Sequence, residues 1–344
     1  MTHHFLHRCL EIAEQGRGKT GTNPMVGAVL VRDGKVIAEG FHAAFGKSHA
    51  ELDLMKKYEQ KIDSNDILYV NLEPCCHEHK KTPPCAQMLI ERGIKNVVIG
   101  MKDPNPAVSG KGSALMRSNG VMVDIAFGST AECCRFNRGY ISVQNKGRPW
   151  VTMQQARTPE GTFANPDGTF LKITTAGQDT WTHEYLRAKH DAVLIGIGTA
   201  LMDNSQLTIR HIPAVQQPYR ILIDSRLRIP LDAHLVNDAF ASRTILIVKP
   251  DLPDAVRTVI PVLEKRGVRI LEVAHHTHGI DFSALWKVLI TPSGDFHGIA
   301  SILLEGGKQM WKAFRDEKCI DEEAILVGVP VPGSEKRKPL LPSY

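Results

Sequence analysis

The amino-acid sequence predicts two consecutive domains of the α/β class. The chain has 344 residues, which exceeds one ordinary hydrophobic core and fits two domains of about 150 residues each. Apolar runs of strand length alternate with segments of helical periodicity in two successive series, as they do in layered α/β folds. A polar, turn-rich stretch at residues 145–149 separates the two series. We therefore expect one domain over residues 1–145 and a second over residues 149–344.

The first series contains local signals for a hairpin and for a helix start. Asp33 and Gly34 lie between two short apolar runs, a residue pair typical of a two-residue hairpin turn. Ser48 has the position of a helix N-cap, and Glu51 follows three residues later as in a capping box. The expected helices cover residues 4–15, 48–58, 84–92 and 112–119, and the expected strands cover residues 25–31, 36–39, 67–72 and 97–101.

The second series repeats the alternation of strands and helices and predicts a second α/β domain. The expected strands cover residues 150–153, 192–197, 220–224, 243–249 and 299–304, and the expected helices cover residues 180–189 and 307–317.

Composition and charge restrict the classes of function. The formal net charge is +5, and no basic stripe indicates a nucleic-acid partner. No apolar stretch has the length of a membrane span, and the N-terminus lacks the pattern of a signal peptide. An odd number of cysteines, several of them close to histidines, favours reduced thiols and a metal over disulfides, and therefore the cytoplasm. The seven cysteines are Cys9, Cys75, Cys76, Cys85, Cys133, Cys134 and Cys319.

Three potential zinc ligands lie at the starts of helices or after a strand. His49 is at the start of the predicted helix 48–58, Cys75 follows a strand, and Cys85 opens another helix. A catalytic zinc site has three protein ligands and leaves the fourth position to water. Helix N-termini favour the thiolate form of cysteine. The spacing predicts a zinc ion held by His49, Cys75 and Cys85.

Glu51 is expected to be the general acid and base rather than a ligand. Zinc lowers the pKa of a bound water, and a glutamate two residues after the histidine can move its proton to a leaving amine. The pattern therefore predicts a zinc-dependent deaminase. Two alternatives stay open: the site is structural or holds no metal, or Cys76 replaces Cys75 as the ligand. His77 and His79 are spare imidazoles that we expect to be loop residues.

Several stretches together resemble the bifunctional riboflavin-biosynthesis deaminase-reductase family, over nearly the whole chain. The cysteine motifs Leu-Glu-Pro-Cys and Thr-Pro-Pro-Cys are separated by a long insert of histidine and lysine instead of the usual two residues. The other matching stretches are Asn-Pro-Met-Val-Gly at 23–27, Gly-Phe-His at 40–42, Asp-Pro-Asn-Pro at 103–106 and Gly-Lys-Gly at 110–112.

The resemblance implies a cytidine-deaminase-like, three-layer α/β/α first domain and a dihydrofolate-reductase-like α/β second domain. The first would use Zn²⁺ to deaminate 2,5-diamino-6-ribosylamino-4(3H)-pyrimidinone 5′-phosphate. The second would use NADPH to reduce the ribosyl group of the product to ribityl. A homodimer is the implied assembly.

Family positions in both domains imply binding residues. In the first domain Asn23 and His42 are expected to contact the pyrimidine or its ribose. In the second, two arginines suit a grip on the substrate phosphate, and glycines before a helix suit the cofactor pyrophosphate. The expected substrate residues there are Arg187, Leu207, Arg210 and Glu305. The expected NADPH residues are Ala156, Thr199, Asp203, Ser225, Gly306 and Gly307.

The second domain also departs from the family pattern. Gln154 stands where the family has a lysine, Glu160 lies in the altered Ser-Leu-Asp segment, and Asn204 replaces the second aspartate of Asp-Asp-Pro. A monofunctional deaminase with a degenerate reductase-like domain is therefore an alternative. A nucleic-acid deaminase would need more aromatic and basic surface than this chain has. A zinc-stabilised binding module would leave Glu51 without a role.

Overall fold

The computed structural model describes residues 2–76, 84–165, 171–276 and 279–330. The chain divides into two compact units. The first comprises Met1–Gly147 with Pro292–Gly298, and the second comprises Arg148–Thr291 with Ile299–Tyr344. Within the described ranges no helix is long and apolar enough to cross a membrane.

The helices and strands follow each other in two series. The helices are α1 (Thr2–Ala13), α2 (Ala50–Lys57), α3 (Cys85–Glu91), α4 (Lys111–Ser118), α5 (Phe127–Phe136), α6 (Arg138–Lys146), α7 (Ala176–Trp181), α8 (Ile197–Asp203), α9 (His234–Asn237), α10 (Asp254–Arg257), α11 (Ile260–Lys265), α12 (Phe282–Ile290) and α13 (Lys308–Asp316). The strands are β1 (Gly27–Arg32), β2 (Lys35–Phe41), β3 (Ile67–Val70), β4 (Asn96–Ile99), β5 (Met122–Ile125), β6 (Trp150–Arg157), β7 (Ala192–Gly196), β8 (Tyr219–Ile223), β9 (Thr244–Val248), β10 (Arg269–Glu272), β11 (His275–His276), β12 (Gly279–Ile280), β13 (Ser301–Leu304) and β14 (Glu322–Val327).

The first unit is a three-layer α/β/α sandwich, as predicted. Its five-stranded sheet has the order β2-β1-β3-β4-β5. β1 is antiparallel to β2 and β3, whereas β3, β4 and β5 are parallel. Alternate residues of β1 face opposite layers. Ala28 and Leu30 pack in the core with α2 and α3, and Val29 and Val31 pack against α1.

The predicted hairpin between β1 and β2 is confirmed. Arg32 pairs with Lys35, so that the loop consists of Asp33 and Gly34. Both loop residues have positive φ, 49° and 73°. A two-residue turn of type I′ requires this conformation at both positions, which explains why an Asp-Gly pair is found here.

The predicted capping box at the start of α2 is wrong. The N-cap is His49, and no side chain caps the helix. The Ser48 hydroxyl instead accepts a hydrogen bond from Lys56 (3.1 Å). The shift by one residue has a chemical consequence, because His49 and Glu51 are thereby available to a site at the helix N-terminus.

The second unit is built on a seven-stranded sheet with the order β10-β9-β8-β7-β13-β6-β14. All of its strand pairs are parallel. Four consecutive residues of β7, from Ala192 to Ile195, are buried, as expected for a sheet covered by helices on both faces. β13 lies between β7 and β6 although it comes late in the sequence, so that the strand order reverses direction at this point.

The helix predicted over residues 180–189 is irregular. α7 ends at Trp181, a π-helical turn covers Thr182–Leu186, and a 3-10 turn covers Arg187–Lys189. Helical periodicity alone does not distinguish these hydrogen-bond patterns. π-turns inside helices are rare and are frequent at functional sites.

Candidate active sites

The loop before β1 is held in place by two buried asparagines. Asn71 Oδ1 accepts from the Gly27 N–H (2.8 Å), and its amide donates to the Met25 carbonyl (3.0 Å). Asn137 accepts from the Met25 N–H (2.9 Å) and also donates to the Met25 carbonyl (3.0 Å). These four hydrogen bonds fix the backbone next to Asn23.

The three predicted zinc ligands lie together. His49 Nδ1 is 3.6 Å from Cys75 Sγ and 3.3 Å from Cys85 Sγ. The potential ligand atoms of all three residues lie within 4.8 Å of one another. The backbone N–H of Cys85, the first residue of α3, donates to Cys75 Sγ (3.5 Å). Cys76 is not part of this cluster, and His77 and His79 lie outside the described residues.

The pKa values of the two cysteine sulfurs are shifted in opposite directions. A hydrogen bond from Cys85 lowers the pKa of Cys75 to about 3, and the nearby His49 acts in the same direction. The same hydrogen bond, together with burial, raises the pKa of Cys85. Burial likewise raises the pKa of Cys76. Two cysteine sulfurs, which bind metal as thiolates, and an imidazole at this spacing are the donor set that Zn²⁺ prefers, so the residues present fit the metal.

Glu51 borders a cavity of about 200 Å³ together with His49 and Cys75 of the zinc cluster. Glu51 is buried, and this burial raises the pKa of its carboxyl group. The cavity wall also includes Asn23, His42 and Cys75. The structure thus brings together the predicted metal, acid-base and pyrimidine-contacting residues in one concave site.

Asn23 and His42 are hydrogen-bonded to each other. His42 Nδ1 lies 2.9 Å from the Ser48 carbonyl, which can only accept, so that Nδ1 carries the hydrogen. Nε2 is then an acceptor for the Asn23 amide at 3.3 Å. The side-chain oxygen of Asn23, Oδ1, takes no part in these two hydrogen bonds.

Glu73 organises the opposite wall, a role that our sequence reasoning missed. Its two carboxylate oxygens accept from the N–H groups of Asp103 (3.3 Å), Gly110 (2.9 Å) and Ser113 (2.9 Å) and from the Ser113 hydroxyl (2.8 Å). These contacts fix the Asp-Pro-Asn-Pro loop next to Cys75. The same wall holds Tyr140, whose hydroxyl donates to Asp103 (2.8 Å). The available signal was an acidic residue directly before Pro-Cys.

The second unit contains a cavity of about 270 Å³ next to β6, β7 and β13, where the strand order reverses. In doubly wound sheets, ligands bind at such reversal points outside the carboxyl ends of the strands. Seven of the residues predicted for this domain border the cavity. They are Ala156, Arg187, Thr199, Asp203, Leu207, Arg210 and Glu305.

Two of the predicted substrate residues pair with each other. Arg187 Nε donates to Glu305 Oε1 (2.7 Å), and Arg187 Nη2 donates to Glu305 Oε2 (2.6 Å). Arg187 Nη1 donates to the Thr208 carbonyl (2.9 Å). The flat double-donor edge of Arg187 is therefore occupied by Glu305, and only its Nη1 side remains for a ligand.

The predicted NADPH residues fall into two groups. Ala156, Thr199 and Asp203 border the cavity, whereas Ser225, Gly306 and Gly307 do not line it. Gly307 is the N-cap of α13, which has no side-chain cap. Its N–H donates to Thr199 Oγ1 (3.2 Å). An uncapped helix start beside a hydroxyl fits a cofactor phosphate.

The family departures have different positions. Gln154 borders the second cavity, together with Lys172. Glu160 is exposed and does not line it. Asn204 is the C-cap of α8 in the left-handed conformation (φ 42°), and its Oδ1 accepts from the His234 N–H (3.0 Å). Of the three, only Gln154 can change what the cavity binds.

Fold and sites define a two-domain enzyme of the α/β class, with a cytidine-deaminase-like zinc domain followed by a reductase domain. Residues 1–101 match the sequence model of the "cytidine and deoxycytidylate deaminase zinc-binding region", and residues 149–343 match the "RibD C-terminal domain". The chain therefore belongs to the RibD family of riboflavin-biosynthesis proteins.

Similar proteins agree over nearly the full length. The chain is 37% identical over 306 residues to the riboflavin biosynthesis protein RibD of Actinobacillus pleuropneumoniae, which covers 89% of this chain and 78% of that protein. It is 32% identical over 329 residues to RibD of Aquifex aeolicus, which covers 96% and 87%. The solved structure of Acinetobacter baumannii RibD, form 2, has a TM-score of 0.77 at 29% identity and covers 100% of this chain and 91% of that one.

A second solved structure is named after two activities. It is a diaminohydroxyphosphoribosylaminopyrimidine deaminase/5-amino-6-(5-phosphoribosylamino)uracil reductase from Thermotoga maritima, with a TM-score of 0.76, 32% identity and coverage of 99% and 89%. The present chain is accordingly a deaminase and reductase of riboflavin biosynthesis, with zinc and NADPH as its cofactors. The monofunctional alternative is not favoured, because the reductase domain matches over residues 149–343.

Proposed function

We propose that residues 1–145 deaminate 2,5-diamino-6-ribosylamino-4(3H)-pyrimidinone 5′-phosphate and that residues 149–344 reduce the ribosyl group of the product. The observation that carries the first assignment is the cluster of His49, Cys75 and Cys85 beside buried Glu51. The Thermotoga maritima relative, which is named after both activities, supports the choice of substrate.

For the deamination we assign the zinc ligands to His49, Cys75 and Cys85. Zinc, when bound, supplies the Lewis acid that activates a water molecule. Glu51 accepts the proton of the attacking water and passes it to the amino group, which leaves as ammonia when the carbon–nitrogen bond breaks. Its burial and raised pKa suit a carboxyl group that alternates between acid and base.

Asn23 and His42 are proposed to recognise the substrate. The hydrogen bond of His42 to the Ser48 carbonyl fixes its tautomer, and the Asn23 amide is oriented by His42 in turn. Buried polar groups that are fixed in this way discriminate between ligands, since a ligand without the matching group leaves them unpaired.

For the reduction we assign the substrate to Arg187, Leu207, Arg210 and Glu305. NADPH, when bound, supplies the hydride, and its residues are proposed to be Ala156, Thr199, Asp203, Ser225, Gly306 and Gly307. Support comes from the shared cavity for the first three and from the uncapped start of α13 for the two glycines. Ser225 has only its family position in its favour.

We further propose that the protein is a cytoplasmic homodimer. Trp181 and Tyr185 stack on each other (5.7 Å) although both are exposed by two fifths or more. Gln178, which like Trp181 belongs to α7, donates to the carbonyl of Val327 in the edge strand β14. The Val327 side chain is also exposed. Exposed apolar side chains of this size favour association. Free cysteines and a thiolate metal site fit a reducing compartment.

The test is an assay of each half-reaction on the purified full chain, with zinc quantified by mass spectrometry. Ammonia release from the diaminopyrimidinone measures the first activity. NADPH oxidation in the presence of the deaminated product measures the second. Ammonia release without any NADPH oxidation would contradict the second assignment while leaving the first intact.

A further inference from the structure

A buried histidine in the second cavity has no role in the assignments above. His183 lies in the π-helical turn Thr182–Leu186 and is only 4% exposed. It nevertheless borders the cavity, as do Arg187 and Arg210. A buried polar ring next to two cations needs a physical explanation, because an unmatched polar group costs free energy.

The contacts of the ring determine its tautomer. The backbone N–H of Arg210 lies 3.1 Å from His183 Nδ1. A backbone N–H can only donate, so Nδ1 is an acceptor and the ring hydrogen of the neutral form is on Nε2. Burial, followed by the charges of Arg187 and Arg210, lowers the pKa of His183 to about 3. The ring is therefore neutral near pH 7, with an Nε2–H group.

This Nε2–H group lies beside a second donor. Arg187 Nη1 is 3.5 Å from His183 Nε2, and one of its two hydrogens is used by the Thr208 carbonyl. The Nε and Nη2 atoms of Arg187 are engaged by Glu305. In the part of the chain that the structure describes, no protein oxygen accepts from the His183 Nε2–H. Two donors thus lie side by side at the cavity wall, where one acceptor can bridge them.

We infer that the His183 Nε2–H and the Arg187 Nη1–H together bind one phosphate oxygen of the reductase substrate. This makes His183 a substrate-contacting residue, an inference that rests on the proposed reductase function of this cavity. A phosphate oxygen is the acceptor of choice, because one of the two donors is a cation and charge-assisted hydrogen bonds are the strongest. Arg210 on the same wall adds a further positive charge.

A merely structural role for His183 would depend on the other ring nitrogen. In that case the important contact is Nδ1 with the Arg210 N–H, which holds the loop that carries Arg210. Two substitutions separate the possibilities. In His183→Asn the amide oxygen replaces Nδ1 as acceptor but nothing reaches the Nε2 position. In His183→Gln the longer side chain brings an amide N–H to the Nε2 position and gives up the short contact to Arg210.

The experiment compares both variants in the full chain with the phosphorylated, deaminated substrate and with the same compound after removal of its phosphate. We expect His183→Asn to lower kcat/KM for NADPH oxidation about tenfold or more with the phosphorylated substrate, the usual effect of one charge-assisted hydrogen bond. The effect with the dephosphorylated compound should be several-fold smaller. His183→Gln should retain most of the preference for phosphate. Calorimetry without NADPH should show the same loss in substrate affinity.

The opposite pattern, with His183→Asn like the wild type and His183→Gln impaired equally on both compounds, would overturn the inference and leave a structural role. An unfolding curve of each variant, followed by tryptophan fluorescence, that matches the wild-type curve excludes misfolding. The probe reports on this unit because all four tryptophans lie between residues 150 and 311. If both His183 variants equal the wild type while Arg210→Ala raises KM, His183 is not a contact and the proposed function stands. A wild type that does not oxidise NADPH would overturn both.

Discussion

Arg187 and Glu305 form a double hydrogen bond of 2.7 and 2.6 Å across 118 positions of the sequence. Both side chains are nearly buried, with 12% and 11% exposed. Glu305 follows the interior strand β13, and Arg187 follows the π-turn, so that this pair connects the sheet to the irregular helix at the cavity wall. A pair in this position stabilises the second unit and at the same time orients Arg187 for a ligand.

Glu305→Gln is expected to lower the free energy of unfolding of the second unit by about 3 kcal/mol, because Arg187 is left as an uncompensated charge at a largely buried position. Urea unfolding followed by tryptophan fluorescence measures this, since every tryptophan of the chain lies in this unit. The substitution should also reduce NADPH oxidation.

The matched control is Glu323→Gln, which breaks an exposed pair with Arg315 (3.1 Å, side chains 39% and 47% exposed). Solvent-exposed pairs contribute about 1 kcal/mol or less. Equal losses of unfolding free energy in the two variants would show that the Arg187–Glu305 pair stabilises the fold no more than an exposed pair does.

Cys85→Ser should abolish stoichiometric zinc binding, whereas Cys76→Ser should retain one zinc per chain. The reason is geometric: Cys85 Sγ and Cys75 Sγ both face His49 Nδ1, whereas Cys76 is not part of the cluster. Metal analysis of the purified variants measures the outcome. Full zinc in Cys85→Ser, or none in Cys76→Ser, would reassign the ligand set.

Glu51→Gln should retain zinc and the fold but lose deamination by about a hundredfold or more, because an amide cannot move a proton between water and the leaving amine. Ammonia release measures the loss. NADPH oxidation by the same preparation is the internal control and should be unchanged. Deamination within a fewfold of the wild type would remove Glu51 from its assigned role.

The sequence predicted most of what depends on local pattern. The Asp33-Gly34 turn, the apolar strands and the zinc motif all follow from short-range spacing. α5 and α6 were missed, because small, polar and charged residues separate the few apolar positions of the segment from Phe127 to Lys146 that pack on the core. β14 was missed for a related reason, since it is a half-exposed edge strand with alternating burial.

Contacts between distant residues could not be predicted in the same way. Arg220 is an example: it is 1% exposed within β8, and its guanidinium donates to Asp238 (2.7 and 2.9 Å) and to the Leu235 carbonyl (2.9 Å). Nothing in its sequence neighbourhood distinguishes it from a surface arginine. The pairing of Arg187 with Glu305 is similarly a result of strand order, which a single sequence does not reveal.

His183 should remain neutral from pH 8 to pH 5. Arg187, Arg210 and His211 face the ring and act against its protonation, and Asp179 acts in favour of it. Nitrogen-15 NMR of histidine-labelled protein, with His183→Asn to assign the signal, should show an Nε2–H tautomer without a transition in this range. Protonation of the ring above pH 5 would contradict the geometry.

The lowered pKa of His183 also has a consequence for stability. Unfolding returns the ring to its ordinary pKa near 6.5, so the unfolded state binds a proton below that pH while the folded state does not. The titration of His183 therefore does not change the free energy of unfolding above about pH 6.5. Below that pH it lowers the free energy of unfolding progressively as the pH falls towards about 3. His183→Asn should lose less stability than the wild type between pH 7 and pH 5 in urea unfolding followed by tryptophan fluorescence.

Gln154→Lys should raise the efficiency of the reductase and leave deamination unchanged. Gln154 borders the second cavity, in which the phosphorylated substrate and NADPH are proposed to bind, and both ligands are anions. A lysine there adds a donor that carries a charge. One charge-assisted hydrogen bond contributes about 1.5–3 kcal/mol, which corresponds to a tenfold to hundredfold change in kcat/KM. Lys172 on the same wall is hydrogen-bonded to Asp179 and Thr174. Its charge is therefore partly neutralised, and a second cation at position 154 can still strengthen anion binding.

Asn204→Asp is the matched control, because that side chain accepts from the His234 N–H and does not line the cavity. NADPH oxidation with the deaminated product, measured at several substrate concentrations, distinguishes an effect on KM from one on kcat. An Asn204→Asp variant that gains as much as Gln154→Lys, or a Gln154→Lys variant that gains nothing, would show that the charge lost at position 154 is not what limits this reductase.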